Sequence, residues 1–175
     1  KERTILNFMD ARCIDIKAMV KDPAYIRDIV LKENYSFTRN ETQIDTYFKV
    51  KDGRFKFREG VNNELIYYER ANTAVRNAEV KVVSDLPTEL KPVLEQAMGI
   101  SCVVEKHREQ YEKNNVYVRI DEVKNLGTFL EILCYDKNQG LNLEKQLEKL
   151  KKQFNIQNED LIPESYSDLI MQKEV

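Results

Sequence analysis

Apolar and polar side chains alternate along much of this chain in runs of strand length. In residues 11–20 (ARCIDIKAMV), Cys13, Asp15 and Lys17 alternate with Ile14, Ile16 and Ala18. A period of two predicts a strand whose two faces differ in chemistry. The same period predicts strands over 37–50, with an interruption near Asn40, and over 54–59, 65–71 and 78–83. Lys51-Asp52-Gly53 and Val61-Asn62-Asn63 separate three of these runs, as tight turns do in an antiparallel meander. Three more strands follow over 102–111, 116–123 and 128–135, divided by Lys113-Asn114-Asn115 and Lys124-Asn125-Leu126-Gly127.

The period lengthens to that of a helix in four places. Asp22-Pro23 offers a cap and a first-turn proline for a helix running through Ile26, Ile29 and Val30 toward Lys32. Ser84-Asp85-Leu86-Pro87 opens a second, ending at Met98 with Gly99 behind it. Leu143, Leu147, Leu150 and Phe154 share one face of a third over 141–154, and the tail ESYSDLIMQ reads as a short amphipathic helix docking Leu169 and Ile170. The expected fold class is therefore α+β. Eight antiparallel strands carry helices after the first, the fifth and the last. One domain spans 1–175, with its strand core over 11–135 and C-terminal helices over 141–172.

Polar faces of several strands carry charge, as solvated faces of antiparallel sheets usually do. GRFKFREG puts Arg54, Lys56 and Arg58 on one face and Phe55 and Phe57 on the other. Tyr68 and Arg70, Lys106 and Arg108, Arg119 and Asp121, and Glu131 repeat the theme. Opposite them stand Ile14, Ile16, Val118, Ile120, Leu130 and Ile132, which need covering by helices. Two arrangements satisfy this pattern. The charged faces meet bulk water, or the strands close into a barrel with helices outside and charge within, inverting the usual apolar interior. Cations crowded into a lumen are costly when it is empty. A polyanion with a divalent cation held by Asp or Glu relieves that cost.

Composition narrows the partners. Lys plus Arg total 28 against 30 Asp plus Glu, so the net charge of −2 gives no whole-molecule field for nucleic acid or an anionic membrane. No apolar run reaches membrane-spanning length, and no secretory pattern opens the chain. It begins at Lys1 rather than Met, so upstream residues are expected to be missing or cleaved. Cys13, Cys102 and Cys134 are odd in number and far apart, which fits neither a disulfide framework nor a zinc site. They read as buried thiols of a reducing, cytoplasmic protein. The single histidine, His107, alternates out of phase with Lys106 and Arg108 and reads as a surface residue. A histidine-based triad, a P-loop and a GxGxxG loop are all absent.

The runs QIDTYFKVKDGRFKFREG, LIYYERAN, VVEKHREQY and VRIDEVKNLGTFLEI, in this order, resemble the CYTH superfamily of triphosphate tunnel enzymes, and most of all its CyaB-like subgroup. CIDIKA resembles the family's opening strand, Glu-x-Glu-x-Lys. The resemblance spans residues 11–135. It implies an eight-stranded antiparallel tunnel that binds a triphosphate or polyphosphate chain with Mg²⁺ or Mn²⁺. Carried over by position, Lys17, Lys56, Arg58, Arg70, Lys106, Arg108 and Arg119 would hold phosphate. Asp15, Asp121 and Glu131 would hold metal, and Glu131, Asp121 and Lys17 would serve catalysis. Cys13 and Leu133 stand where the motif has acids, so one metal site is expected rather than two.

Three functions follow from the resemblance. A metal-dependent phosphohydrolase of tripolyphosphate or an organic triphosphate comes first. A class IV adenylate cyclase, making cyclic AMP and pyrophosphate from ATP, differs from it in which phosphorus is attacked. A triphosphate binder with a degenerate metal site is the third, favoured by Cys13 and Leu133. The oligomeric state, monomer or homodimer, stays open.

Overall fold

Backbone pairing gathers the alternating runs into one closed ring. The computed structural model describes residues 8–136 and 142–173. In chain order these form β1 (Phe8–Met19), α1 (Pro23–Lys32), β2 (Ser36–Phe48), β3 (Arg54–Glu59), β4 (Glu64–Glu69), β5 (Arg76–Ser84), α2 (Leu90–Met98), β6 (Ile100–Lys113), β7 (Val116–Val123), β8 (Gly127–Asp136), α3 (Leu143–Gln153) and α4 (Tyr166–Lys173). The strand order around the ring is β1-β5-β4-β3-β2-β6-β7-β8, all antiparallel. Because β1 pairs with both β5 and β8, none of the described strands is left with an open edge to recruit another chain.

Turn chemistry fixes the register. Gly53 sits at φ 71°, and a Cβ there would come within 2.9 Å of the Tyr68 carbonyl oxygen, so the turn into β3 needs glycine. Asn114 and Asn125 take left-handed conformations in the turns on either side of β7, as short amide side chains do most readily. Asp22 caps α1, its carboxylate accepting from the Ala24 amide at 3.0 Å.

The two faces of the ring then part company. Outward-facing Ile14, Ile16, Val118, Ile120, Leu130 and Ile132 are covered by Ile26 and Val30 of α1 and by Leu143, Leu147 and Leu150 of α3, with Phe154 beside them. This outer cluster is the main core, and burying it stabilises the ring by roughly 1.5–3 kcal/mol per large side chain. Cys13, Cys102 and Cys134 are buried, and His107 is exposed.

Several element boundaries differ from the sequence pattern. Ser84 belongs to β5, where it pairs with Glu64. The second helix starts at Leu90, after Pro87 and Thr88 accept single-turn bonds from Leu90 and Lys91. A ladder partner for Ser84 outweighs what it would gain as a cap. β4 stops at Glu69, leaving Arg70 one residue beyond the strand. Leu141, expected to open α3, lies outside the described residues; the helix is described from Leu143, with the Asn142 side chain accepting from the Lys145 amide. Among the described residues, no helix is long and apolar enough to cross a membrane.

Candidate functional site

Inward-facing positions enclose a cavity of about 360 Å³, within the roughly 300–1,000 Å³ of small-molecule sites. Lys17 of β1, Lys56 and Arg58 of β3, Lys106 and Arg108 of β6, Arg119 of β7 and Arg70 all line it. Every cation singled out in the sequence as a phosphate ligand is thus brought to one lumen. Asp15 and Glu131 line it too, while Asp121 is fully buried just behind Arg108. Arg54 shares the strand face of Lys56 but is spent on α4, bonding Asp168 at 2.8 Å and Asn72 at 2.8 Å.

A single carboxylate organises the densest group of cations. Asp45 of β2 accepts from Lys56 at 2.7 Å, from Lys106 at 2.8 Å, and from Arg58 at 2.7 and 2.9 Å through both its oxygens. Burial alone would raise this carboxyl, but Arg58, Lys106 and Lys56 overcome it and hold Asp45 well below the usual carboxylate range. The lysines pay the opposite way. Burial, then the charge of Arg58, brings the Lys56 ammonium down to about 8. Burial likewise holds Lys106 well below the ordinary lysine range. Glu64 reaches only Arg58, at 3.5 Å, so two carboxylates face three desolvated cations and this corner of the lumen is built for more negative charge than the protein supplies.

Arginines and carboxylates alternate around the rest of the wall. Arg76, only 1% exposed, is ion-paired with Asp15 and lies 3.7 Å from Glu131. Glu131 accepts from Arg119 at 2.8 Å and lies 3.6 Å from Arg108. Arg108 is bidentate on Asp121 at 2.7 and 2.6 Å. Burial opposes ionisation of Glu131, yet Arg108, Arg119 and Arg76 hold its carboxyl well below its ordinary range. Asp121 is likewise kept low by Arg108 against burial.

Sequence reasoning missed three members of this site. Arg76 escaped because the fifth strand was read as starting at 78, two residues late. Asp45 lies on the same face as Tyr47, in a run with clear alternation, yet an isolated acid carries no sign that three cations from two other strands converge on it. Tyr166 had no lumen signal at all, since it arrives from the C-terminal helix.

That helix closes one end of the ring. At this end the inward positions turn apolar, and Cys102, Val104, Val123 and Phe129 pack with Tyr47 and Tyr166, joined by Leu169 and Ile170 as expected. The Ile162 amide bonds the Lys17 carbonyl at 2.8 Å, tying the incoming segment to β1. The Tyr166 hydroxyl donates to Asp121 at 2.8 Å. Lys17 rests 3.9 Å above the Tyr166 ring and donates to the Glu164 carbonyl at 2.7 Å. Burial, then the Arg76 charge, lowers the Lys17 ammonium to about 7. The floor of the cavity is therefore a wall of Tyr166 and Lys17.

One side of the cavity carries no charge. Cys13, Ala78 and Leu133 form an apolar cluster with Val80, Tyr117 and Tyr135, all of them lining the lumen. The Cys13 thiol, pushed up to about 12 by burial and then by Asp15, stays protonated and has none of the thiolate character of a nucleophile. Among the described residues, no three acidic, histidine or cysteine side chains converge as a ready-made metal cluster.

A family model for the CYTH domain matches residues 11–166. The Methanocaldococcus jannaschii protein named "Putative adenylate cyclase MJ0240" is 24% identical over 170 residues, covering 89% of this chain and 97% of its own. The solved PH1012 protein of Pyrococcus horikoshii shares the fold with a TM-score of 0.77 at 21% identity, over 92% of this chain and 99% of its own. The structure described as "Putative adenylyl cyclase HpAC1 from Hippeastrum", with a dominant triphosphatase activity, superposes with a TM-score of 0.61 at 14% identity, over 95% of this chain and 96% of its own.

Proposed function

The chain belongs to the CYTH family, and from that premise we propose that its tunnel binds a triphosphate chain and hydrolyses it with the help of a divalent cation. The observation that carries this reading is the convergence of Lys56, Arg58 and Lys106 on the one carboxylate of Asp45. A polyphosphate supplies the anionic oxygens that this corner lacks. Arg108 and Arg119 extend the positive wall along β6 and β7, and Arg70 and Arg76 face them from the far side of the ring. Ammonium and guanidinium groups in a water-poor lumen bind phosphate oxygens strongly and neutralise charge gathering on the leaving phosphate.

The donor set fits a hard cation. Asp15 and Glu131 both line the lumen, and an ionised carboxylate has lone pairs to spare beyond its arginine bonds. Mg²⁺ or Mn²⁺ would be held by these two acids, with phosphate and water oxygens completing the shell. Such a cation would polarise a phosphoryl group held beside these acids. Asp121 lies off the lumen, fully buried with its oxygens bonded to Arg108 and Tyr166, so it acts as a positioning residue that aims the Arg108 guanidinium. Glu131, lying on the lumen, is then the better placed of the two to orient an attacking water. Lys17 sits at the floor, where it contacts the terminal phosphate of a chain inserted end-on.

The name of the Methanocaldococcus relative supports the cyclase alternative, in which the ribose 3′-hydroxyl is the nucleophile. Cys13 and Leu133, at positions where the motif has acids, support the binder. Product analysis separates the three. Purified protein with Mg²⁺ or Mn²⁺ is offered tripolyphosphate, thiamine triphosphate and ATP. Orthophosphate release is the expected result. Cyclic AMP with pyrophosphate would replace the hydrolase by the cyclase, and binding without any product would leave a binder.

A further inference from the structure

The outside of the ring is covered unevenly. α1 and α3 bury apolar side chains against it, Ile26 and Val30 from one and Leu143, Leu147 and Leu150 from the other. α2, which passes outside β2 on the way from β5 to β6, buries none completely. Leu90, Leu94 and Met98, spaced four apart, are partly buried. Val93 and Ala97 belong to the same apolar arc of the helix but are turned to solvent, Val93 being 62% exposed. Ile100 at 42% and Val103 at 46% carry the exposed stripe on into β6. A surface helix ordinarily turns its whole apolar stripe to the core. The stripe of α2 is wider than its seat.

The charges of this region leave the stripe bare. Lys91 pairs with Glu59 of β3 at 2.7 Å and lies 3.8 Å from Glu95 one turn on, which draws both helix charges to the flank facing β3. Beyond Val103, Glu105 is paired with Lys124 at 2.8 Å. Two further charges flank the stripe at its ends. Glu89, exposed, stands at the N-terminal end of α2. Lys49, also exposed, lies alongside Gly99 at the C-terminal end, its backbone amide donating to the Gly99 carbonyl at 3.0 Å. Among the described residues, neither side chain is ion-paired within the chain. An apolar stripe with an acid at one end and a cation at the other is complementary to itself when turned end for end. Two copies of a chain related by a twofold axis meet in just this relation.

From this overhang we infer that α2 is a docking face for a second copy of this chain, the two α2 helices packing antiparallel. Ala97 is small enough to let the helices approach closely, with Val93 of each copy lying against Ala97 of the other. Glu89 of each copy then reaches Lys49 of the other at both ends of the contact, and the opposed helix dipoles add to the attraction. Apolar residues at the centre and charges at the rim are the ordinary anatomy of a protein interface. α2 contributes no side chain to the lining of the lumen, so the pairing leaves both tunnels open and does not depend on what they bind.

Sedimentation equilibrium of the purified chain across micromolar concentrations tests the pairing, and twice the mass of one chain is the expected result. Val93→Asp, which sets a charge at the centre of the contact, should raise the dissociation constant of the dimer about 30-fold or more. Leu31→Asp is the control: Leu31 is 66% exposed on α1, over a different part of the ring, and its substitution should leave the dimer intact. Lys49→Glu and Glu89→Lys should each weaken pairing several-fold, because like charges then meet at both ends of the contact. The two reversals combined should restore it, a result that singles out the antiparallel α2 contact even if Val93→Asp folds poorly. A monomer at every concentration would overturn the inference. So would a dimer indifferent to Val93→Asp and to the charge reversals, since it would use another face.

Discussion

At the residue scale, Asp45 explains how the lumen tolerates its own charge. Three buried cations share its carboxylate, and removing one partner of a buried charge network leaves the others uncompensated. Asp45→Asn should therefore cost about 3–5 kcal/mol of stability in urea unfolding. Tripolyphosphate should raise the melting temperature of this variant more than that of the wild type, because the added anion replaces the lost one. An equal or smaller rise would mean that Asp45 and phosphate do not share the same cations. Lys56→Ala and Arg58→Ala act in the reverse sense, each weakening tripolyphosphate binding by about 10- to 100-fold, the worth of a charged hydrogen bond. Unchanged affinity would remove these side chains from the phosphate site.

Protonation supplies an independent check. Lys17 and Lys56 are lowered to about 7 and about 8, whereas an exposed lysine titrates near 10.4. Between these values the unfolded chain holds more protons than the folded one, so this pair's contribution to the stability of the empty protein rises with pH across that window. Binding has the opposite sign, because phosphate favours the charged ammonium. At pH 8.5, tripolyphosphate binding should take up protons, seen as a binding heat that depends on the ionisation heat of the buffer, and affinity should fall as pH rises from 7 to 10. A buffer-independent heat would show that neither lysine changes charge on binding.

At the element scale, alternation was enough to place the strands, because each has one face on the lumen and the other, of different chemistry, on a helix or on solvent. Residues 54–59 and 116–123 have the bounds expected of them. The errors fell where local and long-range bonding compete, as at Ser84, whose cap chemistry lost to a ladder pairing with β4. The largest gap was α4. Its pattern showed that Leu169 and Ile170 would dock, but not that Tyr166 would reach the inside of the ring, since nothing local marks a helix that stoppers a barrel. The stopper is held by Arg54 on Asp168 and by Tyr166 on Asp121. Tyr166→Phe keeps the ring and loses only the hydroxyl bond to a carboxylate, a loss of about 1.5–3 kcal/mol in urea unfolding. No change in stability would show that the floor does not depend on that bond.

At the scale of the whole molecule, a chain with net charge −2 conceals a strongly positive interior. Composition could not reveal this, because the sum counts solvated and enclosed charges alike. What made the tunnel legible was the phase of the charges: Lys56 and Arg58, Lys106 and Arg108, and Lys17 all fall on the inward register of their strands. Pairing between inward residues was only partly legible, since Arg76 with Asp15, Asp45 with Lys106 and Glu131 with Arg76 join strands far apart in sequence. The division of labour between protein and metal belongs to this scale as well. Chelation should abolish phosphate release while leaving tripolyphosphate bound to the cationic wall; loss of binding on chelation would make the metal, rather than the cations, the main holder of the ligand.

Whether the ring encloses a triphosphate site is read from a titration of the chelated protein with tripolyphosphate. Saturable binding of one tripolyphosphate per chain, weakened in Arg58→Ala, is the predicted result. An absence of both binding heat and any rise in melting temperature would contradict it.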